Sequence, residues 1–341
     1  MEPAVKEVES FVEKTRGLTF VKPVKVTLAD DLAFQTRLVG RRRPSKAEVD
    51  KVTGELRALG FVPPGFDLVK SATASMVAGI VGFYDFGSKE LVVRGGQVTP
   101  YVKEVLAHEL THALDDQHFG LDRPALRQAN DEAADSFQAL SEGDAVRVQR
   151  AYRDAMSPAD RASADAEDGR YGSLSDAAAP PPALGDFGAY PYVEGAAFVD
   201  ALLKAHGQAA LDAAFADPPV SSAQILNPTR FFYNVPGATI SMPDAPDKKP
   251  VIDQGVIGQF GLFVMLRQTM GNDLAGLAAS TWEGDSYVAW RDGDSTCVRA
   301  RFLTESAPTA YPLSLVLKAW ADQQGGGTVE VPGTVILTTC R

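Results

Sequence analysis

Histidine and cysteine are scarce in this chain, with four of the first and two of the second among 341 residues. Cys297 and Cys340 stand far apart and in no CxxC spacing, which excludes a disulfide-dense scaffold and a zinc knuckle. No apolar run approaches the ~18 to 20 residues that cross a bilayer, so the sequence holds no membrane-spanning helix. An excess of positive charge is missing too. The chain has 33 basic and 44 acidic residues, a net charge of −11, which argues against nucleic acid or an anionic membrane as the main partner. Its short basic run, Arg41-Arg42-Arg43 before Pro44, reads as a solvated loop. No unit recurs at a fixed period, so a solenoid is excluded. The opening MEPAVKEVES has no apolar core of the kind a secretory leader carries. The chain is then expected to be cytoplasmic if it starts there, and extracytoplasmic or secreted if a leader has been removed.

What remains is an ordinary globular composition, 45% hydrophobic and 23% charged, long enough for one large domain or two smaller ones. Apolar spacing predicts a helix over 4–16 that stops at Gly17, and β-branched residues predict a strand over 18–28. Ser45 and Glu48 form a capping box for a helix running to about Leu59. Residues 76–84 and 90–94 read as two strands around a turn, and Thr99-Pro100 opens a helix with an N-cap and a first-turn proline. A second helix is expected over 130–156. Residues 157–190, rich in Ala, Asp, Ser, Pro and Gly, read as a long, flexible surface loop. Further helices are expected over 192–216 and 252–270. The end reads as strands at 285–290 and 296–303, a helix at 307–322, and strands at 328–331 and 334–339. Both cysteines fall in such strands, where they are either joined, which implies an oxidising compartment, or separately buried as thiols.

Three of the four histidines, His108, His112 and His118, fall in the string HELTHALDDQHF. Histidines four apart on a helix share one face, so the imidazoles of His108 and His112 can close on one metal ion. Glu109 beside them is placed to deprotonate a metal-activated water. A catalytic zinc takes three protein ligands and keeps a fourth position open. Two residues compete to be the third. Glu142 lies on the second helix, in a polar stripe with Asp131, Asp135, Gln138 and Gln149 on an otherwise apolar helix. His118 has the spacing of HExxHxxGxxH, but Asp115 stands where that pattern needs glycine to leave the helix. Asp116, one turn beyond His112, is a candidate to orient a ligand imidazole from behind. Tyr101, Tyr190 and Tyr192 are candidate donors to a developing oxyanion. His206 before Gly207 reads as a helix-end or surface residue.

These residues resemble the gluzincin group of zinc metallopeptidases. HELTHALDDQHF followed by EGDA resembles a set of poorly characterised bacterial zincin-like proteins, often exported. FVEKTRGLTFVKPVKV, GFYDFGSKELVVRG, DPPVSSAQILNP and TWEGDSYVAWRDGD look like parts of the same pattern, so the likeness touches most of the chain. It implies an α+β, zincin-like fold with Zn2+ held by His108, His112 and Glu142, and with Glu109 as general base and acid. It also implies a peptide or protein substrate, with the strand at 90–94 as the edge against which an extended peptide lies. Asn227 stands where the pattern leads one to expect histidine. The reading is a catalytic domain over 1–250 and an α/β extension over 251–341 packed on it. Its rival is a binding or scaffold protein of the same fold without turnover.

Overall fold

The computed structural model describes residues 2–39, 44–177, 179–331 and 333–341. Arg41, Arg42 and Arg43 lie outside the described residues. The fold is α+β, 60% helix and 15% strand. The chain opens with α1 (Glu2–Arg16), β1 (Lys25–Ala29), α2 (Asp31–Val39), α3 (Lys46–Ala58), α4 (Leu68–Gly79), β2 (Gly82–Asp85) and β3 (Glu90–Arg94). A helical centre follows: α5 (Pro100–Phe119), α6 (Pro124–Ala129), α7 (Asp131–Ala155), α8 (Pro158–Ala177) and α9 (Pro182–His206). Three short helices, α10 (Gln208–Ala216), α11 (Ser222–Leu226) and α12 (Pro228–Phe232), lead to β4 (Val251–Gly255), α13 (Gly258–Met270) and α14 (Asn272–Ala279). The last elements are β5 (Trp282–Asp292), β6 (Ser295–Thr304), α15 (Ala307–Gln323), β7 (Thr328–Glu330) and β8 (Val335–Cys340).

Local chemistry sets the helix starts. Thr99 accepts from the Val102 amide ahead of α5, and Asn130 accepts from the Ala133 amide ahead of α7. Ser45 and Glu48 close both bonds of the capping box of α3.

Two segments differ from the sequence reading. Residues 157–190 are not a loop: α8 and the start of α9 occupy them. α8 lacks an apolar stripe, but it is rich in alanine, the best helix former. Ser157 caps it by accepting from the Asp160 amide. Fully buried Ala164 and the ring of Tyr171, stacked 5.7 Å from Tyr101, seat it on α5. Residues 76–84 are also not one strand. The Asp67 side chain caps α4 by accepting from the Lys70 amide, and helix continues to Gly79 before β2 begins. An apolar run this short fits either element, and the upstream cap decides it. Residues 252–270 likewise divide, into β4 and α13.

β1, β3 and β2 form a small sheet in that order, with β1 parallel and β2 antiparallel to the central β3. It packs on α5 around Val5, Val8, Leu91, Val93, Leu106, Leu110 and Leu114. The second sheet, β4-β5-β6-β8-β7, is antiparallel throughout. One continuous core joins α7 and α9 (Leu140, Phe198, Leu202) to α13, β6, α15 and β8 (Leu262, Phe302, Trp320, Leu337). The 250/251 boundary is thus crossed by shared packing. Cys297 of β6 stands opposite Cys340 of β8, and the two are joined as a disulfide. Among the described residues no helix is long and apolar enough to cross a membrane.

Candidate metal centre

α5 is buried along most of its length, so the direction each side chain takes is fixed by packing. His108 and His112, one turn apart, project from it toward Glu142 on α7. Their Nε2 atoms lie 3.1 Å apart, and Glu142 Oε2 lies 3.1 Å from the first and 3.2 Å from the second. The three donor atoms thus mark a triangle. A tetrahedral zinc with bonds of ~2.0 Å has donor–donor edges of about 3.3 Å, so the triangle matches one face of such a site. The group could hold a metal ion.

The backs of the rings are also held. His108 Nδ1 meets Gln149 Oε1 at 3.0 Å, and His112 Nδ1 meets Ser141 Oγ at 3.2 Å. The amide oxygen only accepts, so Nδ1 of His108 carries a proton, and Nε2 is the nitrogen turned toward Glu142 and a metal. That is the orientation that ligates metal. Glu142 also draws protons to the same imidazoles, in competition with a metal. Burial opposes the charge on Glu142, but the two imidazoles outweigh it and hold the carboxyl well below the usual range. Burial lowers His112, yet the Glu142 carboxylate and its hydrogen bond push it up to about 9. The pocket therefore calls for positive charge beside Glu142.

Glu109 points from α5 to the small sheet, where its Oε2 accepts from the Tyr84 amide at 2.7 Å. Burial raises its pKa, with the histidines and the Tyr84 amide pulling the other way. A carboxyl shifted upward is suited to hold a proton between two transfers. Gly82 allows this approach: a Cβ there would lie 2.6 Å from Val105 and 3.3 Å from Glu109. The resulting cleft, about 300 Å³, is walled by β2 on one side and includes His108, Glu109, His112, Glu142 and Tyr192.

Of the three tyrosines, Tyr101 and Tyr192 line the cleft and Tyr190 does not. Tyr190 is buried against Phe260, and Tyr101 is packed under Tyr171. Tyr192 stands half-exposed at the cleft, its ring 6.2 Å from that of His108. Burial and the two glutamates hold that phenol protonated far above neutral pH.

Three sequence expectations are corrected. His118 is exposed and bonds the Thr19 carbonyl at 2.8 Å, because α5 continues unbroken past Asp115 and turns it away from the metal face. Asp116 does not meet either imidazole. It accepts from Tyr84 (2.9 Å), Lys89 (2.6 Å) and the Leu121 amide (3.0 Å), tying α5 to the small sheet and to its own C-terminal turn. Gln149 and Ser141 take the place foreseen for it. Gln149 was visible only as part of the polar stripe. β3 is the central strand, so β2 is the edge that lines the cleft. Asn227 caps α12 by accepting from the Thr229 amide and is not among the described residues that line the cleft. His206 is exposed at the end of α9, with its ring against Phe232.

Every residue of EGDA has a task. Glu142 faces the histidines. Gly143 lets α9 touch α7: a Cβ there would lie 2.3 Å from the Gly195 carbonyl oxygen, and one on Gly195 would lie 2.0 Å from that of Ala139. Asp144 is fully buried and pairs with Arg16 at 2.5 Å and with Arg147 at 2.8 Å. Ala145 is fully buried in turn. Arg16, also fully buried, reaches Asp115 at 3.0 Å and so clamps α1, α5 and α7 together behind the ligands. Comparison of the chain with family models, curated proteins and solved structures finds no match.

Proposed function

We propose that this chain is a zinc-dependent metallopeptidase with a zincin-like fold, of the gluzincin type. The observation that carries the reading is the triangle of His108, His112 and Glu142 donor atoms with the Glu109 carboxylate beside it in an open cleft. Zinc supplies Lewis acidity there, acidifying a water and polarising a carbonyl. Glu109 takes the water's proton and returns it to the leaving amine, a double duty that a raised carboxyl performs well at neutral pH. Tyr192 offers its hydroxyl to the oxygen on which negative charge develops. An extended peptide lies along the β2 edge, where main-chain bonds give affinity without demanding a particular sequence. The Cys297–Cys340 bridge supports an oxidising, extracytoplasmic setting.

The test is hydrolysis of a mixed peptide library by purified protein. Cleavage should stop with a zinc chelator, return with zinc, and fall at least ~1,000-fold in Glu109→Gln, which keeps the ligands but cannot accept a proton. Cleavage that survives chelation, or a Glu109→Gln rate within tenfold of wild type, would refute the proposed chemistry. Folded, zinc-loaded protein that cleaves no peptide would favour a binding role.

A further inference from the structure

Gln149 holds His108 through an amide, and an amide can turn over, offering either an oxygen or an NH2 group. What stops it turning is one residue away. Gln149 Nε2 lies 3.0 Å from Glu104 Oε1, and Glu104 Oε2 accepts from Arg153 Nη1 at 2.6 Å. Arg153 is anchored in turn by Asp165 on α8. Glu104 is 4% exposed and sits one turn before His108 on α5. A carboxylate has no proton to give, so it accepts from both neighbours, and the NH2 of Gln149 must face it. The oxygen of Gln149 then has one remaining direction, toward His108.

We propose that Glu104 is a positioning residue that sets which nitrogen of His108 carries the proton, through the orientation of the Gln149 amide, and thereby sets the zinc affinity of the site. The inference rests on the metal-centre reading above and adds to it a residue in contact with neither metal nor substrate. It has a distinctive consequence, because the chain of donors and acceptors is directional. In Glu104→Gln, the new amide must give its oxygen to Arg153, since a guanidinium only donates. Its NH2 then faces Gln149, which turns its oxygen to meet it and its own NH2 toward His108. Nδ1 must now accept, and the proton moves to Nε2, the atom meant for the metal. A second change, Gln149→Glu, repairs the sequence of bonds: a carboxylate at 149 accepts from both the new amide and His108 Nδ1–H.

The experiment measures zinc affinity by competition with a chromogenic chelator. It also reads the His108 tautomer in metal-free protein by long-range 1H–15N correlation, and the visible spectrum of the cobalt form. Glu104→Gln should bind zinc ~10- to 100-fold more weakly, with the His108 proton on Nε2. The double variant Glu104→Gln/Gln149→Glu should recover wild-type affinity within about threefold, with the proton back on Nδ1 and a wild-type cobalt spectrum. Both variants lose the same Glu104–Arg153 ion pair. A merely structural role for Glu104 would therefore leave the double variant as weak as the single one, and that result overturns the proposal. Zinc affinity of Glu104→Gln within twofold of wild type overturns it too. Wild-type protein that takes up no zinc or cobalt would instead refute the metal-centre reading.

Discussion

Behind the metal centre the interior is charged, whereas behind the five-stranded sheet it is apolar and covalently closed. Arg16, Glu104, Glu109, Asp115, Asp116 and Asp144 are all buried around α1, α5 and α7. Burial and the neighbouring Asp144 push Asp115 well above the usual carboxylate range, with Arg16 pulling the other way. Around β6, β8 and α15 the fully buried side chains include Val298, Phe302, Leu317, Trp320 and Leu337, and a disulfide joins the strands. Asp285, a buried carboxylate of that half, is satisfied by neutral donors: the amides of Ile257 and Gly258 and the indole of Trp282. Charged interiors hold directions well and contribute little net stability, while apolar ones do the reverse. The difference assigns orientation to one half and most of the stability to the other.

The sharpest way to break this comparison is Arg16→Met. It leaves Asp115 and Asp144 buried without their cation, and the expected loss is about 3–5 kcal/mol in denaturant unfolding. A loss below ~1 kcal/mol would mean that apolar packing holds α5 and α7 as it holds the other half. Next, Cys297→Ala with Cys340→Ala opens a link across 43 residues and should cost about 3–4 kcal/mol. Zinc affinity should stay within about twofold, because the bridge lies in the other half. A tenfold change would show that the halves are coupled.

Glu132 tests the seam between them. It is buried at the start of α7, accepts from the Ser222 amide, and lies against Gly258. Burial raises it from 4.5 to about 7, with Ser222 pulling the other way. Above pH 4.5 the unfolded chain ionises this group while the folded chain keeps it neutral, so stability falls up to about pH 7 and is level beyond. Glu132→Gln should remove on the order of 2 kcal/mol of that slope between pH 5 and 8. Equal slopes in variant and wild type would place the titration elsewhere. The smallest effect belongs to His118→Ala. One exposed bond to Thr19 is worth about 0.5 kcal/mol or less, and zinc content should not change. Loss of zinc in that variant would return His118 to the ligand set.

Much of this was legible in the chain because it is local. The caps at Ser45 and Thr99, the period of α5 and α7, and the paired histidines all follow from neighbours within a turn or two. Glu142 and His118 could not be separated by spacing alone, because the answer depends on whether α5 breaks at Asp115 and on where α7 lies. Asp116 was placed on the right face but given the wrong neighbour, since the small sheet that claims it comes from elsewhere in the chain. Glu104 and Ser141 gave no signal, because a residue that orients a ligand is defined only by what packs beside it. α8 was missed because its burial rests on alanine and one tyrosine, too little apolar surface to register as a pattern.

In a protein interior a methyl lost from one side chain can be refilled from another. At the crossing of Gly143 and Gly195 there is nothing to trade, because main chain rests on main chain. The spacing between the helix of Glu142 and the helix of Tyr192 therefore behaves as a rigid gauge that repacking of the surrounding side chains does not reset. A wider or narrower mouth would therefore have to come from the wall that β2 supplies on the other side of the cleft.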